Sequence, residues 1–225
     1  MNRQLVLDLG HRTARGRADF LVSGCNAEAV EWIDRWPEWP ARALAVWGPP
    51  ASGKTHLAHV WCEVSGATLI GPNDLRASDA AGLRARNAFL CVDDADRMIG
   101  DDAGEEALLH LYNYVLETGG ALLLVGTDAP ARWEVKLADL ASRMKALTGA
   151  GISAPDDDLL AALLVKQFRD RQLRVGEDVV FYLLARMERS FAAVSEIVAS
   201  IDAAALERHR PVTVPLAREI LDGAA

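Results

Sequence analysis

One stretch, Gly48-Pro49-Pro50-Ala51-Ser52-Gly53-Lys54-Thr55, limits the folds open to this chain more than any other feature. It has the pattern G-x-x-x-x-G-K-[ST] of a phosphate-binding loop, which works only between a strand and a helix. Both flanks are present. Ala43-Leu44-Ala45-Val46-Trp47 is an apolar run suited to a buried strand, and His56 to Val64 reads as a helix. Glycines let the backbone turn its N–H groups inward around an anion, and the helix N-terminus adds partial positive charge. In such a loop Lys54 reaches the outer phosphates of a nucleotide, and the Thr55 hydroxyl is placed for Mg²⁺.

The rest of the chain is organised around that unit. Strand and helix alternate: Thr68 to Ile70, Ala88 to Val92 and Ala121 to Val125 read as strands. Glu105 to Glu117 and Leu137 to Leu147 read as helices, and Gly151-Ile152 starts a last short strand. Before them, Ala29, Val30, Ile33 and Trp36 repeat at helical spacing from Asn26 until Pro37. This alternation predicts an α/β fold, a doubly wound parallel sheet with helices on both faces. After Ser153 the pattern changes. Helices are expected over 155–172, 177–187, 191–208 and 215–221 with no strand between them, which makes a small all-helical domain. Pro155 with Asp156-Asp157-Asp158 is a good start for the first of these. The expected organisation is a tail over 1–18, an α/β domain over 19–153 and a helical domain over 154–225.

Composition removes several function classes. The net charge is −8, so the chain lacks the basic surface that non-specific DNA binding needs, and no direct sequence-specific DNA contact is expected. Cys25, Cys62 and Cys91 have no metal-ligand spacing, and Cys62 and Cys91 read as buried thiols of a reducing compartment. No signal peptide and no apolar run of about 18 residues occurs. A cytoplasmic, membrane-free protein is expected.

Two further strand ends complete a nucleotide site. Phe89-Leu90-Cys91-Val92 leads into Asp93-Asp94. A strand-end aspartate beside the loop holds Mg²⁺, the role expected of Asp93, and Asp94 is placed to orient or deprotonate a water. A strand-end Asp capping the next helix is the plain structural alternative. The strand ending at Val125 is followed by Gly126-Thr127-Asp128. Thr127, or in its place Asp128, is the polar group expected at the γ-phosphate; a simple Thr-Asp turn reads equally well.

These elements together resemble the AAA+ ATPases of the DnaA family. The resemblance rests on Gly53-Lys54-Thr55-His56-Leu57, the Asp93-Asp94 pair, Thr127-Asp128, Asp139-Leu140-Ala141-Ser142-Arg143, and Asp19-Phe20-Leu21-Val22-Ser23 with Asn26. It spans about residues 18–222. No helix-turn-helix region follows, so the chain is more similar to the DnaA-homologous regulators, the Hda family. That resemblance implies several things. ADP or ATP is the cofactor, with Leu21 and Val22 (beside Phe20) walling the adenine and His56 extending the loop's contact. Gln4-Leu5-Val6-Leu7-Asp8-Leu9 is a peptide for the sliding clamp, with Gln4, Leu5, Leu7 and Leu9 as its contacts. Arg143 is an arginine finger acting in trans on ATP held by DnaA, and a homodimer or oligomer is possible through it. The family's sensor arginine has no match: its position falls near Ala192, with Arg189 one turn earlier. The implied function is negative regulation of replication initiation, by stimulating ATP hydrolysis on DnaA. The alternatives are a self-contained ATPase or loader acting on its own ATP, and a nucleotide-bound adaptor without a catalytic role.

Overall fold

The computed structural model describes residues 20–77 and 87–223. In the first compact unit, helix α1 (Ala27–Asp34) precedes strand β1 (Ala43–Trp47) and α2 (Lys54–Ser65). Then follow β2 (Thr68–Ile70), α3 (Pro72–Ala77), β3 (Phe89–Val92), α4 (Asp102–Glu117), β4 (Ala121–Gly126), α5 (Ala138–Ala146) and β5 (Gly149–Gly151). Short 3-10 turns lie at Ala95–Met98 and Pro130–Arg132.

The five strands are parallel in the order β2-β3-β4-β1-β5. Every residue of β4 is buried, as expected of a parallel strand covered on both faces. The alternation of side chains divides the core in two. On one face Ala43, Ala45, Leu90, Val92, Leu122 and Leu124 pack with Leu108, Leu111, Tyr112 and Val115 of α4 and with Leu140 and Met144 of α5. Leu44, Val46, Cys91, Leu123 and Val125 are equally buried and alternate with these, so they face the other side. There the Cys91 thiol hydrogen-bonds Cys62 of α2; burial pushes the Cys91 thiol well up, while that bond draws Cys62 down. Trp36 meets Trp39, Trp61 and Phe89 edge-on at 5.0–5.4 Å, and Trp39 stacks on Trp61. These tryptophans are packing residues.

Several expected boundaries move. The last strand is Gly149–Gly151, two residues earlier than Gly151-Ile152. It is fixed by pairing with Ala45 to Trp47, not by any strand preference of its glycines. Helix α4 begins at Asp102, ahead of the expected Glu105. Asp102 and Glu105 place negative charge in its first turn, which offsets the poor helix propensity of Gly104.

Residues Ala154–Ala225 cluster with Leu21–Cys25 into a second compact unit, while Asn26–Ser153 and Phe20 belong to the first. Its helices are α6 (Asp157–Asp170), α7 (Glu177–Leu184), α8 (Phe191–Arg208) and α9 (Val214–Gly223). Leu160, Leu164, Phe168, Val180, Leu183, Val194, Val198 and Ile201 form its core. Asp156 caps α6 by accepting from Leu159 N, and Ser190 caps α8 by accepting from Ala193 N.

Candidate nucleotide site

All five strands run in the same direction, so the segments leaving β1, β3 and β4 emerge on one rim of the sheet. Ligands of open parallel sheets bind on that rim. The loop after β1 has the backbone its sequence demands. Gly53 has φ 90°, and a Cβ there would stand 2.7 Å from Cε2 of Phe20. Ala51 also takes the left-handed conformation, at φ 61°. For a residue with a Cβ this costs about 1–2 kcal/mol, and strain of that kind concentrates where backbone must be aimed. A Cβ on Gly48 would lie 2.8 Å from the Ile152 carbonyl oxygen, so only glycine passes beside β5.

Lys54 folds over this loop. Its ammonium donates to the carbonyls of Gly48 and Pro49, both at 2.8 Å. Burial lowers its pKa, and Asp93, Asp94 and Asp96 oppose that shift. Thr55 Oγ1 donates to Asp93 Oδ2 at 2.8 Å, and Asp93 Oδ1 accepts from Asp94 N at 3.0 Å. The loop helix and the end of β3 are thereby joined through the residues expected to hold Mg²⁺. Ser52 Oγ is buried without a hydrogen-bond partner. An orphaned hydroxyl in an anion-shaped loop, a lysine, and a hydroxyl–carboxylate pair suit a polyphosphate and a hard divalent cation. The residues present therefore fit a magnesium nucleotide: Ser52, Gly53, Lys54 and Thr55 for phosphate, Thr55 and Asp93 for the ion.

Asp94 takes φ 51° and leads into the 3-10 turn, where Arg97 Nε lies 3.4 Å from its Oδ2. Thr127 and Asp128 follow β4 and are exposed. Their loop is held by a residue the sequence reading overlooked: Asp96 Oδ2 accepts from Thr127 N at 2.8 Å. Asp96 thus ties the end of β3 to the end of β4, across neighbouring strands. Acidic residues two and four places after a strand end look alike in sequence, so nothing marked it. His56 stacks on Phe20, ring centroids 5.5 Å apart. Leu21 and Val22, expected at the adenine, cluster with the helical unit.

Arg143 lies on α5 with Cζ 5.4 Å from the ring centroid of Tyr112. Its Nε is buried and unpaired, at a cost of about 1–3 kcal/mol. Within the helical unit, Ala192 is the second residue of α8, and Arg189 is bound to Asp157 by two hydrogen bonds of 2.8 and 3.2 Å. Gln4, Leu5, Leu7 and Leu9 lie outside the described residues.

A five-stranded parallel sheet with a loop of this kind after its interior β1, an aspartate after β3, a polar turn after β4 and a helical domain following in sequence is the AAA+ fold. In the helical part, residues 156–221 match the family model described as "Hda, lid domain". Among solved structures, domain III of the replication initiation protein DnaA from Thermotoga maritima matches with TM-score 0.77 and 18% identity, over 91% of this chain and 94% of that one. DnaA from Aquifex aeolicus, bound to AMPPCP, matches with TM-score 0.67 and 17% identity, over 84% of this chain and 65% of that one. The AAA domain of FIGL-1 in complex with ADP matches with TM-score 0.61 and 13% identity, over 80% and 71%. The chain has the fold of DnaA domain III. Among the described residues, no helix is long and apolar enough to cross a membrane.

Proposed function

We propose that the chain is a regulator of replication initiation that binds an adenine nucleotide and acts on DnaA. The observation that carries this reading is the match of its helical unit to the Hda lid domain, joined to an α/β unit that resembles DnaA. ADP or ATP would be held by Gly48 to Thr55 and His56, with Thr55 and Asp93 toward Mg²⁺. When bound, the ion neutralises phosphate charge. The tail would dock on the DNA polymerase sliding clamp through Gln4, Leu5, Leu7 and Leu9. An extended peptide of this type supplies one polar anchor and several leucines for an apolar groove. So anchored, Arg143 would reach ATP held by DnaA. A guanidinium suits that task because it stays protonated and bridges two phosphate oxygens. The setting would be cytoplasmic, and the same arginine could join copies of the chain.

A self-contained ATPase, using Asp94 and Thr127 on its own nucleotide, is less well supported. Ala192 stands where a sensor arginine would be, and Arg189 is already engaged by Asp157. The deciding experiment measures ATP hydrolysis by DnaA with and without this protein, in the presence of clamp-loaded DNA. Stimulation that Arg143→Ala lowers by about 10³-fold is expected where chemistry limits the rate, with Arg143→Lys failing to restore it. Wild-type stimulation by Arg143→Ala would leave only the adaptor role.

A further inference from the structure

Helix α4 contains two groups that the reading above does not use, and both are directed at α5. Glu105 and Tyr112 stand two helical turns apart, on one side of α4. Glu105 is fully buried. Its Oε1 accepts from Gly100 N at 2.9 Å; its Oε2 accepts from Lys136 N at 3.0 Å and Leu137 N at 2.9 Å. Leu137 is the residue at which α5 begins, and its own side chain caps nothing. A buried anion on α4 therefore fixes the start of α5 in place. Two turns on, the Tyr112 ring lies under the guanidinium of Arg143. Burial pushes the Tyr112 phenol up, and Arg143 pulls it back down.

One anchor sets where α5 starts and the other sets the direction of a single side chain from it. The unpaired Nε of Arg143 is buried at that contact. An arginine placed only for stability would spend its donors on acceptors; this one is held by a ring face, which takes none of them.

We propose that Tyr112 is a positioning residue for Arg143: its ring face, with Glu105 fixing the helix, aims the guanidinium at a phosphate presented by a partner. This rests on Arg143 acting in trans. A cation held by a ring quadrupole is aimed without being neutralised, whereas a carboxylate partner would compete with phosphate for the same N–H groups.

The test replaces Tyr112 in the full-length chain by phenylalanine and then by singly, doubly and triply fluorinated phenylalanines. Fluorination weakens the ring face at nearly constant shape, so folding is preserved. Each variant is assayed for stimulation of ATP hydrolysis by DnaA with clamp-loaded DNA, beside Arg143→Ala. Phenylalanine should retain the wild-type rate. The fluorinated series should lower the maximal rate progressively, by about 2- to 30-fold at its end. The half-saturating concentration and the thermal midpoint should not change. A flat series beside an inactive Arg143→Ala overturns the positioning role and leaves the trans finger standing. An Arg143→Ala variant as active as wild type overturns the finger itself, and the role of Tyr112 with it.

Discussion

The hydroxyl of Thr55 donates a 2.8 Å hydrogen bond to Asp93 Oδ2, joining a helix N-terminus to the end of a strand on the far side of β4. The two residues come from motifs far apart in sequence, and their contact is what turns two motifs into one site. Lys54→Ala should abolish or sharply weaken ADP and ATP binding, because it removes the one cation of the loop. Asp93→Asn should instead keep magnesium-free binding and lose the gain that magnesium gives. Calorimetric titration with and without the ion separates the two. Equal affinity for wild type and Lys54→Ala would refute the site.

Glu105 makes a sharper stability statement. An amide has one acceptor oxygen and an NH₂ group, so Glu105→Gln turns a donor toward at least one of Gly100, Lys136 and Leu137 N–H. One buried N–H left without an acceptor costs about 1–3 kcal/mol. Denaturant unfolding should show a loss of that size. A change within a few tenths would mean that the carboxylate is replaceable.

The pair between Arg189 and Asp157 is a pH reporter. Hydrogen bonds from Arg189 hold the Asp157 carboxyl below its usual range. Its folded value is depressed, so the associated stability is complete above the unfolded value of about 3.9 and is lost as pH falls through the lower folded value. Carboxyl NMR should find Asp157 titrating below the usual aspartate range. Arg189→Gln should return it to the ordinary range; no movement would place Arg189 elsewhere in solution.

Replacing Gln4 and Leu5 by alanine should remove binding to the sliding clamp while leaving nucleotide binding and the unfolding midpoint unchanged. A surface-plasmon titration on immobilised clamp reads the first. Retained clamp affinity would make the peptide an accident of composition.

What the sequence disclosed and what it hid follow different physics. The loop at 48–55 was legible because its conformation can be built from few residue types. Positive φ at Gly53 and the close approach at Gly48 leave glycine as the residue that fits without strain. Asp93 was legible because an apolar strand ending in acid is a local pattern. The short helix Pro72–Ala77 was missed because six residues carry too little periodicity. Asp96, Glu105 and Tyr112 were invisible for another reason. The first two act on backbone N–H groups of Thr127, Lys136 and Leu137, about thirty residues away, and any residue there would present the same N–H. Tyr112 read as one more apolar position on α4, which it also is.

The parallel sheet leaves the α/β unit with a second rim, away from the nucleotide loop. Chain segments entering the strands, among them Gly119 before β4 and Thr148 before β5, gather on the rim opposite Gly48, Asp93 and Thr127. None of Gly48, Lys54, Thr55, Asp93 and Thr127 lies on that rim. Glu117, exposed where α4 runs out toward it, is a natural point of attachment. A fluorophore or surface tether placed there could follow nucleotide binding without touching Lys54, Thr55 or Asp93.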